Sequence, residues 1–257
     1  VLVSLSVTEP LVEELLNYRF NTTSDLNGHT VGNLLLTATS NITGNLKDGI
    51  EVLSKILNLK GKVLPLTEDN VTLVGKMIDN EKIIGEHNIT MSNKKIKTVF
   101  YQDEPKVCEE VLEAIEEADL IILSMGSLYT SIIPNLICRE VIKKLDKTKK
   151  KIMYVCNMVT QPGETDNMKT SDHIKIINNY LGKHKVDVVI ANNGKISNEI
   201  AIKYATLEQK DPVILDKENI DSMDIELIEN NYVTIKDDII RHNVEKLALD
   251  IYSYLVR

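Results

Sequence analysis

The chain has 257 residues, is 43% hydrophobic and carries a formal net charge of −8. That length buries a full core in one large domain or one and a half, and no apolar run approaches the ~18 residues of a transmembrane helix. The acidic balance, with lysines spread over helix faces, lacks the clustered basic footprint of nucleic-acid binding.

The chain opens with a helical pattern. Thr8 reads as its N-cap, Pro10 sits in its first turn, and Leu11, Leu15, Leu16 and Phe20 mark its apolar face. A polar loop from Asn21 to Gly28 follows, then helices from about Val31 to Ile42 and from about Leu46 to Leu57. From Lys62 to Tyr101 the period shortens to β-rich runs at Val63-Leu64, Val71 to Met77, Lys82 to Ile84 and Ile96 to Tyr101, with Asp79-Asn80 as a hairpin turn. This reads as an antiparallel insertion over about residues 62–101.

After Pro105 helices and strands alternate: a helix over Val107 to Ala118, a strand at Leu120-Ile-Ile-Leu123 and a helix over Leu136 to Leu145. A strand at Met153-Tyr-Val-Cys156, a helix from about Asp172 to Leu181 and a strand at Val186 to Ile190 follow. Asn198 to Ala205 is then helical, Val213-Ile-Leu215 is a further strand, and Asp221 to Asn231 is a polar stretch. Val233 to Ile235 and a helix from about Val244 to Leu255 close the chain. The pattern predicts an α/β fold, Rossmann-like, with a mostly parallel sheet, helices on both faces and a small antiparallel insertion, in a single domain over residues 1–257.

Two polar loops follow neighbouring predicted strands. In the first, Gly126, Ser127, Tyr129, Thr130 and Ser131 lead into a helix, an order that offers free backbone N–H groups and hydroxyls to an anion. Some of these hydroxyls also read as helix caps. In the second, Asn157, Thr160, Gln161, Gly163, Glu164 and Thr165 offer donors, acceptors and one carboxylate, an inventory suited to ribose, a base edge or a sugar. Together the loops predict a crevice at strand carboxyl ends. Cys108, Cys138 and Cys156 form no CxxC pair and read as reduced thiols of a cytoplasmic protein. Asn-x-Thr sequons at Asn21, Asn41, Asn70 and Asn88 read as chance matches. His29, His87, His173, His184 and His242 have no metal-ligand spacing. A Ser127, His173 and Asp172 triad is not expected, because neighbouring helical residues point in different directions.

The strings GSLYTSIIPN and CNMVTQPGETD, with Gly28-His-Thr-Val-Gly-Asn-Leu-Leu35 upstream, closely resemble the gluconeogenesis-factor (YvcK) branch of the 2-phospho-L-lactate transferase (CofD) superfamily over nearly the whole chain. Ser124-Met125 stands where the family more often has Gly-Pro, which makes the loop less flexible. Members of the family begin with a Gly-Gly-Gly-Thr-Gly phosphate loop and an Asp-Asn-Gly-Gly-Ser turn. Neither is present here, and the expectation is an amino-terminally incomplete version of a longer protein.

The resemblance implies a cytoplasmic regulator that binds a nucleotide sugar of the UDP-N-acetylglucosamine type and links central carbon metabolism to cell-envelope synthesis and cell shape. It implies no obligate cofactor and no membrane insertion, and it leaves a regulatory protein partner and a homo-oligomer open. It places His29 and Asn33 at the nucleotide side, where the plainer reading is an Asn27-Gly28 turn and a helix start. It gives Arg241 a phosphate-holding role, where the plainer reading is a surface arginine. Val244 replaces a phosphorylatable threonine of some relatives, so regulation there is not expected. The alternatives are a CofD-like transferase of a phospho-acid from a nucleotide-activated donor, and an NAD-type dinucleotide binder. Fold alone does not choose among them.

Overall fold

The helical hairpin at the start of the chain is set by polar residues at its corner. In the computed structural model, which describes residues 2, 10–236 and 238–257, helices α1 (Pro10–Asn17), α2 (Val31–Thr43) and α3 (Leu46–Ile56) build one compact unit, residues 1–70 with 106–111. The expected cap at Thr8 lies outside the described residues. Thr30 caps α2 by accepting the Asn33 N–H at 3.2 Å. Gly44 ends α2 at φ +91°, a left-handed conformation that costs glycine nothing, and Asn45 starts α3 by accepting the Asp48 N–H at 2.7 Å. Leu16, Leu53 and Leu57 are buried together beneath these helices.

The second unit, residues 71–105 with 112–257, holds the parallel sheet. Its strands are β4 (Leu120–Leu123), β5 (Lys151–Val155), β6 (Val188–Asn192) and β7 (Glu226–Asn230), paired in parallel in that order. Apolar runs such as Met153-Tyr-Val155 and Val188-Val-Ile190 are buried throughout, as strands covered on both faces must be. Edge strand β4 is different: Ile122 is 41% exposed. Flanking helices are α5 (Glu109–Glu117), α6 (Ile133–Leu136), α7 (Arg139–Leu145), α8 (Thr170–Tyr180), α9 (Asn198–Leu207), α10 (Lys217–Asp221) and α11 (Val244–Leu255). Hairpin β8 (Val233–Lys236) and β9 (Ile239–His242), with α11, packs Tyr232, Ile240 and Leu247 against Met153, Val155, Val188 and Ile190. Among the described residues no helix is long and apolar enough to cross a membrane.

The insertion is an antiparallel sheet of β1 (Leu73–Met77), β2 (Lys82–Ile84) and β3 (Ile96–Tyr101), in the order β2-β1-β3. The turn expected at Asp79-Asn80 forms: the Asn80 N–H donates to Met77 O at 3.0 Å, the Met77 N–H to Glu81 O at 2.8 Å, and Asn80 takes φ +68°. Val63-Leu64 is not a strand, and helix α4 (Glu86–Met91) interrupts the β-rich run.

Three further expectations change. Val213-Ile-Leu215 is extended but joins no sheet, because the Val213 N–H donates to Met158 O at 3.0 Å and Ile214 O accepts the Thr170 N–H at 3.1 Å. The fourth strand is instead β7, inside the stretch read as polar. It is an edge strand, so Glu226 and Glu229 can reach solvent and pair with Arg257 and Lys217. The helix expected over Leu136 to Leu145 is broken at Ile137-Cys138 and begins earlier, as a π-helical turn over Leu128–Ile132 that leads into α6.

At the amino ends of the strands, Asp187 ties the sheet to neighbouring loops. Its carboxylate accepts from Lys151 Nζ at 2.8 Å, the Ile152 N–H at 2.8 Å and His184 Nε2 at 2.9 Å. Burial pushes the carboxyl up, but these donors outweigh it and hold its pKa below the usual carboxylate range. A carboxyl depressed in the folded state stabilises above its unfolded pKa of about 4 and loses that contribution as pH falls through the folded value. Denaturant melts taken between neutral pH and pH ~3 should therefore show a steeper acid loss in the wild type than in Asp187→Asn. Parallel acid limbs would remove Asp187 from the acid-sensitive groups.

Candidate functional site

Both polar loops lie at the carboxyl ends of parallel strands, the first after β4 and the second after β5. They are bound to each other by one buried carboxylate. Glu164, 2% exposed, accepts the Tyr129 N–H at 2.9 Å, the Thr130 hydroxyl at 3.0 Å and Gln161 Nε2 at 2.9 Å. This corrects the expectation of free backbone N–H groups at the helix start. The negative charge that a helix start attracts is already supplied from within the chain. Burial raises the Glu164 pKa, and the donors from Tyr129 and Thr130 oppose that rise only in part.

The second loop is fixed on two more sides. Thr160 bonds the 211–215 segment in both directions, its N–H donating to Asp211 O at 2.8 Å and its hydroxyl accepting the Asp211 N–H at 2.9 Å. Gly163 O accepts the Ile96 N–H of β3 at 3.0 Å. Thr165 Oγ1 accepts the Gln161 N–H at 2.8 Å. Thr130, Thr160, Gly163, Glu164 and Thr165 are thus buried framework, and so is Tyr129, whose hydroxyl burial pushes up to about 12.

A second set of expected residues keeps some exposure. Ser127 is half-buried and donates to Gln161 Oε1 at 2.7 Å. Asn157 Nδ2 donates to Gly126 O at 3.0 Å, so Gly126, Ser127, Asn157 and Gln161 stand together between the loops. Ser131 is exposed one turn on. These groups are neutral amides and hydroxyls, able to bond sugar hydroxyls from several directions.

The remaining expected residues are His29, Asn33 and Arg241. His29 and Asn33 belong to the first unit; His29 O accepts the Phe20 N–H at 2.9 Å, and both side chains are exposed. Arg241 is exposed on β9, its side chain making no hydrogen bond or ion pair among the described residues. Its neighbour His242, which faces the opposite side of the strand, is the one that reaches the sheet: its Nε2 lies 3.1 Å from Cys156 O. Burial lowers the His242 pKa, against the pull of that carbonyl.

Sequence reasoning passed over the pairing of Tyr154 with His173 and one further polar turn. Tyr154 and His173 lie under the second loop, the Tyr154 hydroxyl 2.9 Å from His173 Nδ1, and burial takes the imidazole down to about 4. Tyr154, set in the apolar run Met153 to Val155, reads as ordinary core, and nothing local in the sequence links it to His173. Asp172 instead receives the Lys169 N–H at 3.1 Å, as a helix-start residue. A third polar turn, Asn192-Asn-Gly-Lys195, follows β6 and lines a cleft of about 540 Å³ whose far wall is Pro212 to Leu215. Its sequence signal is an Asn-Asn-Gly turn directly after an apolar strand, the same signal used for the other two loops. Among the described residues no three His, Cys, Asp or Glu side chains converge as a metal site. The Cys156 thiol, pushed to about 12 by burial, is no nucleophile.

A family model described as "2-phospho-L-lactate transferase CofD" matches residues 1–233. The chain belongs to the CofD family. Within that family it is 42% identical over 249 residues to the gluconeogenesis factor of Bacillus subtilis, covering 96% of this chain and 78% of that protein. It is 40% identical over 249 residues to the gluconeogenesis factor of Halalkalibacterium halodurans, covering 96% and 77%. A crystal structure of a Bacillus halodurans protein superposes with a TM-score of 0.92 at 38% identity, over 100% of this chain and 81% of that one. The gluconeogenesis-factor branch of the CofD family, and its α/β fold with a small antiparallel sheet, are thereby established.

Proposed function

We propose that the crevice between the loops binds a nucleotide sugar of the UDP-N-acetylglucosamine type, and that the protein is a cytoplasmic regulator serving gluconeogenic growth and coupling it to cell-envelope synthesis and cell shape. The observation that carries this is the set of accessible neutral donors and acceptors, Ser127, Ser131, Asn157 and Gln161, at the carboxyl ends of parallel strands. The names of the B. subtilis and H. halodurans relatives support the role in gluconeogenesis. A regulatory role fits a site whose one carboxylate is committed to structure. The free thiols of Cys138 and Cys156 suit a reducing compartment.

A second reading, transfer of a phospho-acid from a nucleotide-activated donor, is favoured by the description of the family model. Thermal melts of the full-length protein with UDP-N-acetylglucosamine, GDP and NAD at matched concentrations separate these readings. Near 100 times its dissociation constant the UDP-sugar should add about 2.7 kcal/mol, a shift of about 5–10 °C. A larger shift with NAD would favour the dinucleotide reading, and turnover of a nucleotide-activated phospho-acid would favour the transferase.

A further inference from the structure

Asn157, Tyr154 and His173 form a hydrogen-bonded line whose direction is fixed at one end. Asn157 Nδ2 lies 3.0 Å from Gly126 O and 3.4 Å from Met125 O. Carbonyl oxygens only accept, so the amide must turn its NH2 toward them. Its Oδ1 then faces Tyr154, whose hydroxyl donates to it at 3.0 Å. A phenol has one hydrogen, so Tyr154 meets His173 Nδ1, 2.9 Å away, with a lone pair. His173 must therefore carry its proton on Nδ1. Its Nε2 is left as a bare acceptor, and that atom is buried without a partner among the described residues.

The opposite direction fails at the loop. With the proton on His173 Nε2, Tyr154 would donate to Nδ1 and present only lone pairs to Asn157. The amide would then turn over and set its Oδ1 against two carbonyl oxygens, an arrangement of like dipoles with no hydrogen between them. The histidine tautomer and the loop conformation are thus coupled across a line that starts in the core, where His173 is 1% exposed.

We propose that this line is a positioning relay: His173, through Tyr154, holds the Asn157 amide in the orientation that clamps the Met125 and Gly126 carbonyls and so shapes the loop Ser124 to Ser127. That the shaped loop faces a nucleotide sugar rests on the reading given above; the relay itself does not. His173 and Tyr154 are positioning residues that touch no ligand. Their effect passes through Asn157.

Nitrogen NMR of the histidine-labelled protein without ligand reads the tautomer directly, and His173 should be protonated at Nδ1 and bare at Nε2. Hydrogen exchange reads the loop through the Gly126 and Ser131 amides, which donate to Ser124 O and Ser127 O at 2.9 Å each. Tyr154→Phe and His173→Leu should each speed that exchange by about 10-fold or more, the scale of one lost buried hydrogen bond. His173→Asn, whose amide can place an N–H near the Nδ1 position, should return exchange to within about 3-fold of wild type. Affinity for UDP-N-acetylglucosamine should fall about 10-fold in Tyr154→Phe of the full-length protein. A bare Nδ1 in the wild type, or unchanged exchange in a folded Tyr154→Phe protein, would overturn the relay. If the tautomer and exchange behave as stated but the wild type has no affinity for the UDP-sugar, the relay stands and the nucleotide-sugar reading falls.

Discussion

Replacing Glu164 with alanine should cost about 3–5 kcal/mol of stability, because a buried acceptor is removed while its donors stay buried. The Tyr129 N–H, the Thr130 hydroxyl and Gln161 Nε2 all lose their partner, at 2.9, 3.0 and 2.9 Å in the intact protein. The two loops then have no direct tie at that point. Glu164→Gln should be milder, about 1–2 kcal/mol, since the amide oxygen can keep the Tyr129 N–H while its NH2 turns to Thr130. That arrangement forces Gln161 to turn over, which takes away the acceptor that Ser127 uses at 2.7 Å. The graded pair should be visible in urea melts, with the alanine variant also losing ligand affinity. A loss below about 1 kcal/mol for alanine would show that the carboxylate does not hold the loops together.

Gly163→Ala should be nearly as damaging, by a different route. Gly163 sits at φ +77°, and a Cβ there would stand 2.8 Å from the Asn93 carbonyl carbon and 2.9 Å from Lys94 O. The left-handed conformation costs about 1–2 kcal/mol for a residue with a side chain, and backbone atoms at those distances must move as well. A total of about 3 kcal/mol or more is expected, with β3 displaced from the second loop. Gly44→Ala is the control: φ is +91° there but nothing lies within 4 Å of the added carbon. Only the backbone cost, about 1 kcal/mol, should appear. Equal losses at both positions would mean that the close approach at Gly163 carries no weight.

The core strands were legible because burial on both faces forces a continuous apolar run, as at Met153 to Val155 and Val188 to Ile190. Strand β7 was not, because an edge position lets Glu226 and Glu229 remain in a strand while their charges meet Arg257 and Lys217. Val213 to Leu215 misled in the opposite sense. Its β-branched residues read as a strand, but its hydrogen bonds go to Met158 and Thr170, partners that no local pattern announces. The site divides in the same way. The two polar loops stand out by composition and by their place after apolar runs. Which of their groups remain open is decided by bonds across some 34 or 35 positions of sequence, Ser127 to Gln161 and Tyr129 to Glu164. The π-helical turn was equally hidden. Its register shows in Ser127 O accepting from both Ser131 and Ile132 at 2.9 and 3.0 Å, and in Leu128 O accepting from the Ile133 N–H.

The order of the parallel sheet bears on how the chain assembles during synthesis. Strands β4, β5, β6 and β7 lie side by side in the sequence order in which they are made. Each new strand can therefore dock onto the edge left by its predecessor, through one helical crossover, without waiting for a later segment to fill a gap. Loop closures of that length are inexpensive and favour stepwise growth from one side. The line from His173 to Gly126 would close early in this sequence, since all its members precede β6, whereas the cap formed by Tyr232, Ile240 and Leu247 arrives last. A ribosome paused before β7 would hold the clamped loops already formed beside a sheet whose face at Met153, Val155, Val188 and Ile190 still lacks its cap.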